Sequence, residues 1–210
     1  MTLTLPSKAL PPEPEFGDAL PIGAGCQPVL DFLARRRSAS AATLRTPAPS
    51  QAQLHDLLRL AARVPDHGKL SPWRFIVLEG EAKAAFVARL EAIAAARPDA
   101  DKAAGALFKI RIPPLSVAVI SRVSEGNIPA WEQQLSSGAV CMNLLIAAQA
   151  MGFGGNWITD WYAYDPTVDA VLGLAGGERV AGYVHLGTPA EAPLERVRPN
   201  LDAIVSRWTA

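Results

Sequence analysis

Residues 131–159 read WEQQLSSGAVCMNLLIAAQAMGFGGNWIT, and from Leu135 through Thr159 no side chain carries a charge. A run of this kind invites a membrane reading. Ser136, Ser137, Gly138, Asn143, Gln149, Gly152, Gly154 and Gly155 argue against it, because they leave no clean apolar span of the roughly 20 residues a bilayer needs. The pattern predicts a helix entered near Pro129 and Trp131, left at Gly152 and buried on nearly every side. A short strand follows it, near Gly155 to Ile158.

Outward from this helix, Arg74 to Glu79 (RFIVLE), Leu115 to Ser121 (LSVAVIS) and Val180 to Leu186 read as strands. The second is too apolar and β-branched to be an exposed edge. A helix is expected from Pro28, carrying Val29, Leu30 and Leu33 toward the core and ending in Arg35, Arg36 and Arg37, where cations favour a helix C-terminus. Another begins at Ser50, boxed by Gln53, buries Leu54, Leu57, Leu58 and Ala61, and stops at Pro65. Glu81 to Arg97, through Phe86, Leu90 and Ile93, and Pro166 to Leu172 complete the set. Four strands and five or so helices, without regular βαβ alternation, predict an α+β sandwich of sheet and helices, not a doubly wound parallel sheet.

The chain has 210 residues, 50% of them hydrophobic, enough for one substantial domain, placed at residues 28–210. Residues 1–27 are rich in proline and glycine and read as an arm. Twenty Lys plus Arg balance twenty Asp plus Glu, so no global field draws the chain to nucleic acid or an anionic membrane, and any anion site must be local. Cys26 and Cys141 lie far apart and in no metal-ligand spacing, which suits a reduced cytoplasm and no metal. The start lacks the basic and apolar runs of a secretory signal, so export is not expected.

Four clusters could carry chemistry. Arg35-Arg36-Arg37-Ser38 presents guanidinium forks beside a hydroxyl, a phosphate grip, although a solvated helix end explains the same residues. Arg63 to Gly68 (RVPDHG) exposes Arg63 and His67 at a chain break where a planar ring could be edge-bound; a capped turn explains it too. Gly152-Phe153-Gly154-Gly155-Asn156-Trp157 lets backbone approach a flat ligand, or simply turns into a strand, and is a poor dinucleotide fingerprint. Arg196 and Arg198 alternate along an extended segment, a second clamp or an ordinary polar tail. No G-x-S-x-G elbow, P-loop or H-E-x-x-H is present.

In order, RRRSA (35–39), RVPDHGKLSPWRFIV (63–77), the 131–159 segment, and HLGTP (185–189) with RVRP (196–199) resemble the nitroreductase superfamily, and within it the small YdjA-like branch. The resemblance covers about residues 28 to 200. It implies a nitroreductase-like α+β fold, a mostly antiparallel central sheet flanked by helices, and an intertwined homodimer with FMN at the interface. By position, Arg36, Arg37 and Ser38 would bind the phosphate and ribityl end, and Arg63 and His67 would touch the flavin. Trp157, Ile158 and Thr159 would line the ring, with backbone at Gly154 and Gly155 near its edge, and Arg196 or Arg198 would reach the phosphate. Ala148, Gln149, Ala150, Met151, Gly152 and Phe153 match the stretch assigned to the nicotinamide nucleotide.

The activity so implied is ping-pong transfer of hydride from NAD(P)H through flavin to nitro compounds, quinones or similar acceptors, with the cofactor carrying the chemistry and no catalytic residue required. A non-catalytic flavin-binding module, flavin cleavage and reductive dehalogenation are the alternatives. Asp160 stands where many relatives have Gly, and the arm exceeds their short start.

Overall fold

The computed structural model describes residues 10–21 and 23–209. Five strands, β1 (Leu44–Arg45), β2 (Trp73–Glu79), β3 (Leu115–Arg122), β4 (Gly154–Ile158) and β5 (Glu178–Pro189), form one sheet. β5 is its spine: it pairs with β3, which pairs with β2, and also with β4 and β1, and each of these pairings is antiparallel. The α+β expectation is met, with one strand more than the sequence pattern gave. β1 is two residues long, too short to show a period.

Strand alternation sorts the core into two layers. Leu115, Val117 and Val119 of β3 and Val184 and Leu186 of β5 pack under α2 (Gln51–Ala61) and α6 (Ala130–Ala150). Ala118, Ile120 and Tyr183 face the other way, against α3 (Gly80–Ala95), α4 (Ala100–Ala106), α5 (Phe108–Arg111) and α7 (Pro166–Val171). α2 starts as its capping box requires: Ser50 Oγ accepts from Gln53 N at 3.3 Å, and Ser50 N donates to Gln53 Oε1 at 2.9 Å. α4 and α5 were not anticipated; they are short and alanine-rich or four residues long, and present no stripe to read.

α6 holds its polar side chains in place by using them. Ser136 Oγ donates to Pro65 O at 2.8 Å, Ser137 Oγ to Pro72 O at 3.1 Å, and Asn143 Nδ2 to Leu60 O at 2.6 Å, so the helix fastens the turn after α2. Two expectations need correction. α6 is not covered all round in one chain: Trp131 is 67% exposed and Leu135 53%. Nor does α1 (Gln27–Arg35) bury Val29, Leu30 and Leu33, all of which face outward. Both helices are amphipathic or apolar as read, but within one chain part of each apolar side stays exposed. The C-terminal segment around α8 (Leu201–Ile204) likewise exposes Ile204, Val205 and Trp208.

Residues 1–9 and 22 of the arm lie outside the described residues. Its described part is exposed apart from the half-buried Leu10, and meets the body where Arg59 Nη2 donates to Pro11 O at 3.0 Å and Lys69 Nζ stands 5.5 Å from the Phe16 ring centre. Among the described residues no helix is long and apolar enough to cross a membrane, and no cluster of metal-ligating side chains occurs.

Candidate functional site

Where α1 ends, Arg36 turns extended (φ −61°, ψ 136°), and the next residues are tied to β4: Ala39 N donates to Gly155 O at 3.0 Å and Asn156 Nδ2 to Ala39 O at 2.6 Å. This sets Arg36, Arg37 and Ser38 along one wall of a cleft of about 280 Å³. Arg196 and Arg198 of the C-terminal tail close it from the other side, while Met142 and Leu145 of α6 and Trp157 of β4 supply an apolar wall. Three of the four sequence clusters thus meet, although they lie some 160 positions apart in places: Arg198 Nη2 approaches Arg36 O at 3.5 Å (162 residues away).

Gln149 braces the cluster. Its Oε1 accepts from Arg36 Nε at 3.3 Å and its Nε2 donates to Arg37 O. Arg36 also reaches Ser38 Oγ at 3.4 Å, and Arg37 Nε donates to Leu194 O at 2.8 Å. Against four guanidinium groups stands the exposed carboxylate of Glu195, 2.9 Å from Arg198 Nη2 and 3.8 Å from Arg37 Nε. Partial burial, then the charges of Arg198, Arg37 and Arg196, push the Arg36 guanidinium below its ordinary pKa. The cleft is a concentration of like charge that a dianion would relieve, and forked donors suit phosphate oxygens.

Trp157 lies in a seat made by Gly182, with Gly138 at ordinary contact distance. A Cβ on Gly182 would overlap its Nε1 and stand 2.5 Å from Cδ1, and one on Gly138 would lie 3.8 Å from Cη2. The β-bulge between Val119 and Ile120 of β3 leaves Ala181 of β5 unpaired, and Ala181 O accepts from Trp157 Nε1 at 3.4 Å. The indole is held against the sheet with one side open to the cleft. Ile158 ends β4 partly buried, and Thr159 just beyond it is exposed.

Other expected positions fall differently. Gly154 and Gly155 are buried, and the close approach they permit is to this chain: added Cβ atoms would lie 2.8 Å from Leu44 Cδ2 and 2.7 Å from Leu145 Cδ2. Ala148 and Phe153 belong to the core beneath α6, so within 148–153 only Gln149, Ala150, Met151 and Gly152 reach the surface. Gly152, at φ 85°, makes the left-handed turn out of α6 that other residues resist. Asp160, extended at φ −148°, does not need to be glycine; it accepts from Trp161 N at 2.8 Å and pairs with Lys109 Nζ at 2.7 Å, so its charge is spent locally.

Arg63 and His67 do not reach the cleft. His67 Nδ1 is 2.7 Å from Glu132 Oε2 on the first turn of α6, and Arg63 is exposed with no side-chain partner among the described residues. From Glu132 to Leu145 the helix rises about 20 Å, which separates the two groups within one chain. Met142 and Leu145 are the cleft residues that sequence reading missed: inside a long apolar run nothing distinguishes a wall from a core position except the i, i+3 spacing.

Comparison with known proteins identifies the family and the fold. The model described as "Nitroreductase family" matches residues 33–188. The chain is 41% identical over 165 residues to the Escherichia coli K12 protein named "Putative NAD(P)H nitroreductase YdjA", covering 76% of this chain and 87% of that one. Its fold is similar to a nitroreductase-like family protein from Bacillus cereus (TM-score 0.75, 21% identity, 90% of this chain and 98% of the other). It is also similar to the NADPH:FMN oxidoreductase of Vibrio harveyi solved with NAD+ (TM-score 0.69, 16% identity, 85% and 76%). A family match across most of the chain, together with identity of this extent, establishes that the chain belongs to the nitroreductase family.

Proposed function

We propose that the chain is an FMN-dependent oxidoreductase, a cytoplasmic homodimer that carries hydride from NADH or NADPH to small electron-poor acceptors such as nitro compounds or quinones. The observation that carries this reading is the cleft in which Arg36, Arg37, Arg196 and Arg198 converge beside an apolar wall of Met142, Leu145 and Trp157. A phosphate on a short polar tail and a flat ring match those two surfaces. FMN, when bound, supplies the acceptance and release of hydride at its ring; the protein supplies binding, orientation and electrostatics.

In this reading Arg36, Arg37 and Ser38 hold the phosphate and ribityl end, with Arg196 and Arg198 closing over it. Gln149 keeps Arg36 aimed, and Trp157, Ile158 and Thr159 flank the ring. The surface part of the 148–153 stretch, Gln149 to Gly152, borders the place assigned to the nicotinamide nucleotide. Gly154 and Gly155 serve the ring only through the position they give β4. Residues 28–210 form the FMN-binding domain, and residues 1–27 are an arm over the partner or the substrate entrance.

A second copy accounts for what one chain leaves incomplete. The outward apolar residues of α1, of α6 at Trp131 and Leu135, and of the C-terminal segment at Ile204 and Trp208 form the kind of surface that obligate dimers bury. Arg63 and His67, distant from their own chain's cleft, would then serve the partner's. The names of the relatives support the co-substrates: NAD(P)H for YdjA, NADPH and FMN for the Vibrio harveyi enzyme.

Steady-state oxidation of NADPH and NADH by FMN-saturated protein, with a quinone and a nitroaromatic as acceptors, tests the reading. Parallel double-reciprocal lines are expected. FMN binding without turnover would leave a flavin-binding module instead, and flavin breakdown or loss of halide from an iodinated ring would mark a specialised relative.

A further inference from the structure

Across the sheet from the arginine cleft lies a cavity of about 550 Å³ between α3 and the turn at Arg111–Pro114. Three cationic side chains line it: Lys83, Arg45 and Arg111. The carboxylate at its rim, Glu91, is already engaged by Arg111 Nη2 at 2.6 Å. Lys83 is only 6% exposed, yet its ammonium meets neutral acceptors alone among the described residues, Arg111 O at 3.3 Å and Pro113 O. Arg45 spends Nη1 on Ala42 O (2.7 Å) and Leu44 O (2.9 Å), and its remaining nitrogens have no partner among the described residues. The remaining walls are largely apolar, with Val87, Pro113 and Pro114 among them.

A buried cation without a counter-charge is costly, and such charges are ordinarily paired. Burial pushes the Lys83 ammonium down to about 8, the direction expected of a charge held out of water without an anion. A cavity of this size, apolar on its walls with a few convergent charged donors, has the anatomy of a small-molecule site. Capping of the Arg111 and Pro113 carbonyls occupies two of the Lys83 donors and Glu91 occupies Arg111; the Lys83 charge and the free nitrogens of Arg45, which line the same cavity, are left without an anion among the described residues.

We propose that this cavity is a second ligand site, separate from the arginine cleft, that takes a small organic carboxylate with an apolar body. The carboxylate would meet Lys83 and Arg45, and the body would lie on Val87, Pro113 and Pro114.

The test is an NMR titration of FMN-saturated protein with benzoate, and with benzyl alcohol as the uncharged control. Saturable shifts at Gly80, Val87 and Ile112 are expected with benzoate and not with the alcohol. Lys83→Met should weaken benzoate about tenfold or more, the worth of one charge-assisted hydrogen bond. Ala84→Trp, at an exposed α3 position that lines the cavity, should abolish binding while leaving the fold and the flavin spectrum unchanged. The proposal is overturned if benzoate causes no saturable shift there, if its shifts map only to Arg36 and its neighbours, or if Ala84→Trp binds as wild type does. Flavin binding is read in the same samples by absorbance, so failure of this site is distinguishable from failure of the FMN reading.

Discussion

Replacing Arg36 with alanine should weaken FMN while leaving the empty protein as stable as before, or slightly more so. Arg36 lies in the cleft with Ser38 Oγ at 3.4 Å and three further guanidinium groups around it, and those neighbours already disfavour its charge. In the empty protein its removal forfeits two long hydrogen bonds, to Gln149 and Ser38, and relieves repulsion from Arg37, Arg196 and Arg198. With FMN bound it forfeits a charge-assisted bond worth about 1.5–3 kcal/mol, which corresponds to about one to two powers of ten in affinity. Riboflavin, lacking the phosphate, should be held with nearly unchanged affinity. Fluorescence titration of wild type and Arg36→Ala with FMN and with riboflavin, beside thermal melts of the flavin-free proteins, reads all three quantities. Equal loss for both flavins would place Arg36 away from the phosphate, and undiminished FMN affinity would remove it from the site altogether.

Other perturbations reach different parts of the account. Gly182→Ala puts a methyl where the Trp157 indole lies and should cost about 1–3 kcal/mol, as overpacking does; chemical denaturation should show that cost vanishing in a Trp157→Ala background, and its persistence would refute the seat. Leu135→Glu on the outward side of α6 should give monomers by analytical ultracentrifugation and lose FMN in step; a monomer that keeps FMN at wild-type affinity would refute the shared site. Glu178, gripped by Arg74 Nε and Nη2 at 2.7 Å each, is held down to about 2 from an ordinary 4.5 by that hydrogen-bonded pair. Its contribution is therefore complete above pH 4.5 and lost as the pH falls toward 2. Glu178→Gln should flatten that acid limb of the stability profile, and an unchanged limb would show that the pair does not govern it.

Period was the legible part of the sequence. β2, β3 and β5 read as strands because alternate residues serve two cores, one under α2 and α6 and one under α3, α4, α5 and α7. α2, α3 and α6 read as helices because each has caps, stripes or sheer apolar length. β1, α4 and α5 are too short for a period to develop. For α1, the stripe was real but its destination was not readable: Val29, Leu30 and Leu33 recur at helical spacing whether they face a core or another chain. The same ambiguity hid Met142 and Leu145, since a helix that lines both a core and a cleft looks uniformly apolar from sequence. The arginine clusters were visible separately and the resemblance implied a shared phosphate for them; what the fold adds is the Arg198 contact to Arg36 O and the bracing of Arg36 and Arg37 by Gln149.

The proposed transfer is tested most directly by one anaerobic measurement on FMN-loaded protein. Adding NADPH or NADH should bleach the flavin's visible band, and a stoichiometric quinone, added after excess nicotinamide has been removed, should restore it. A band that neither nicotinamide diminishes, or one that stays bleached in the presence of quinone, would contradict the account.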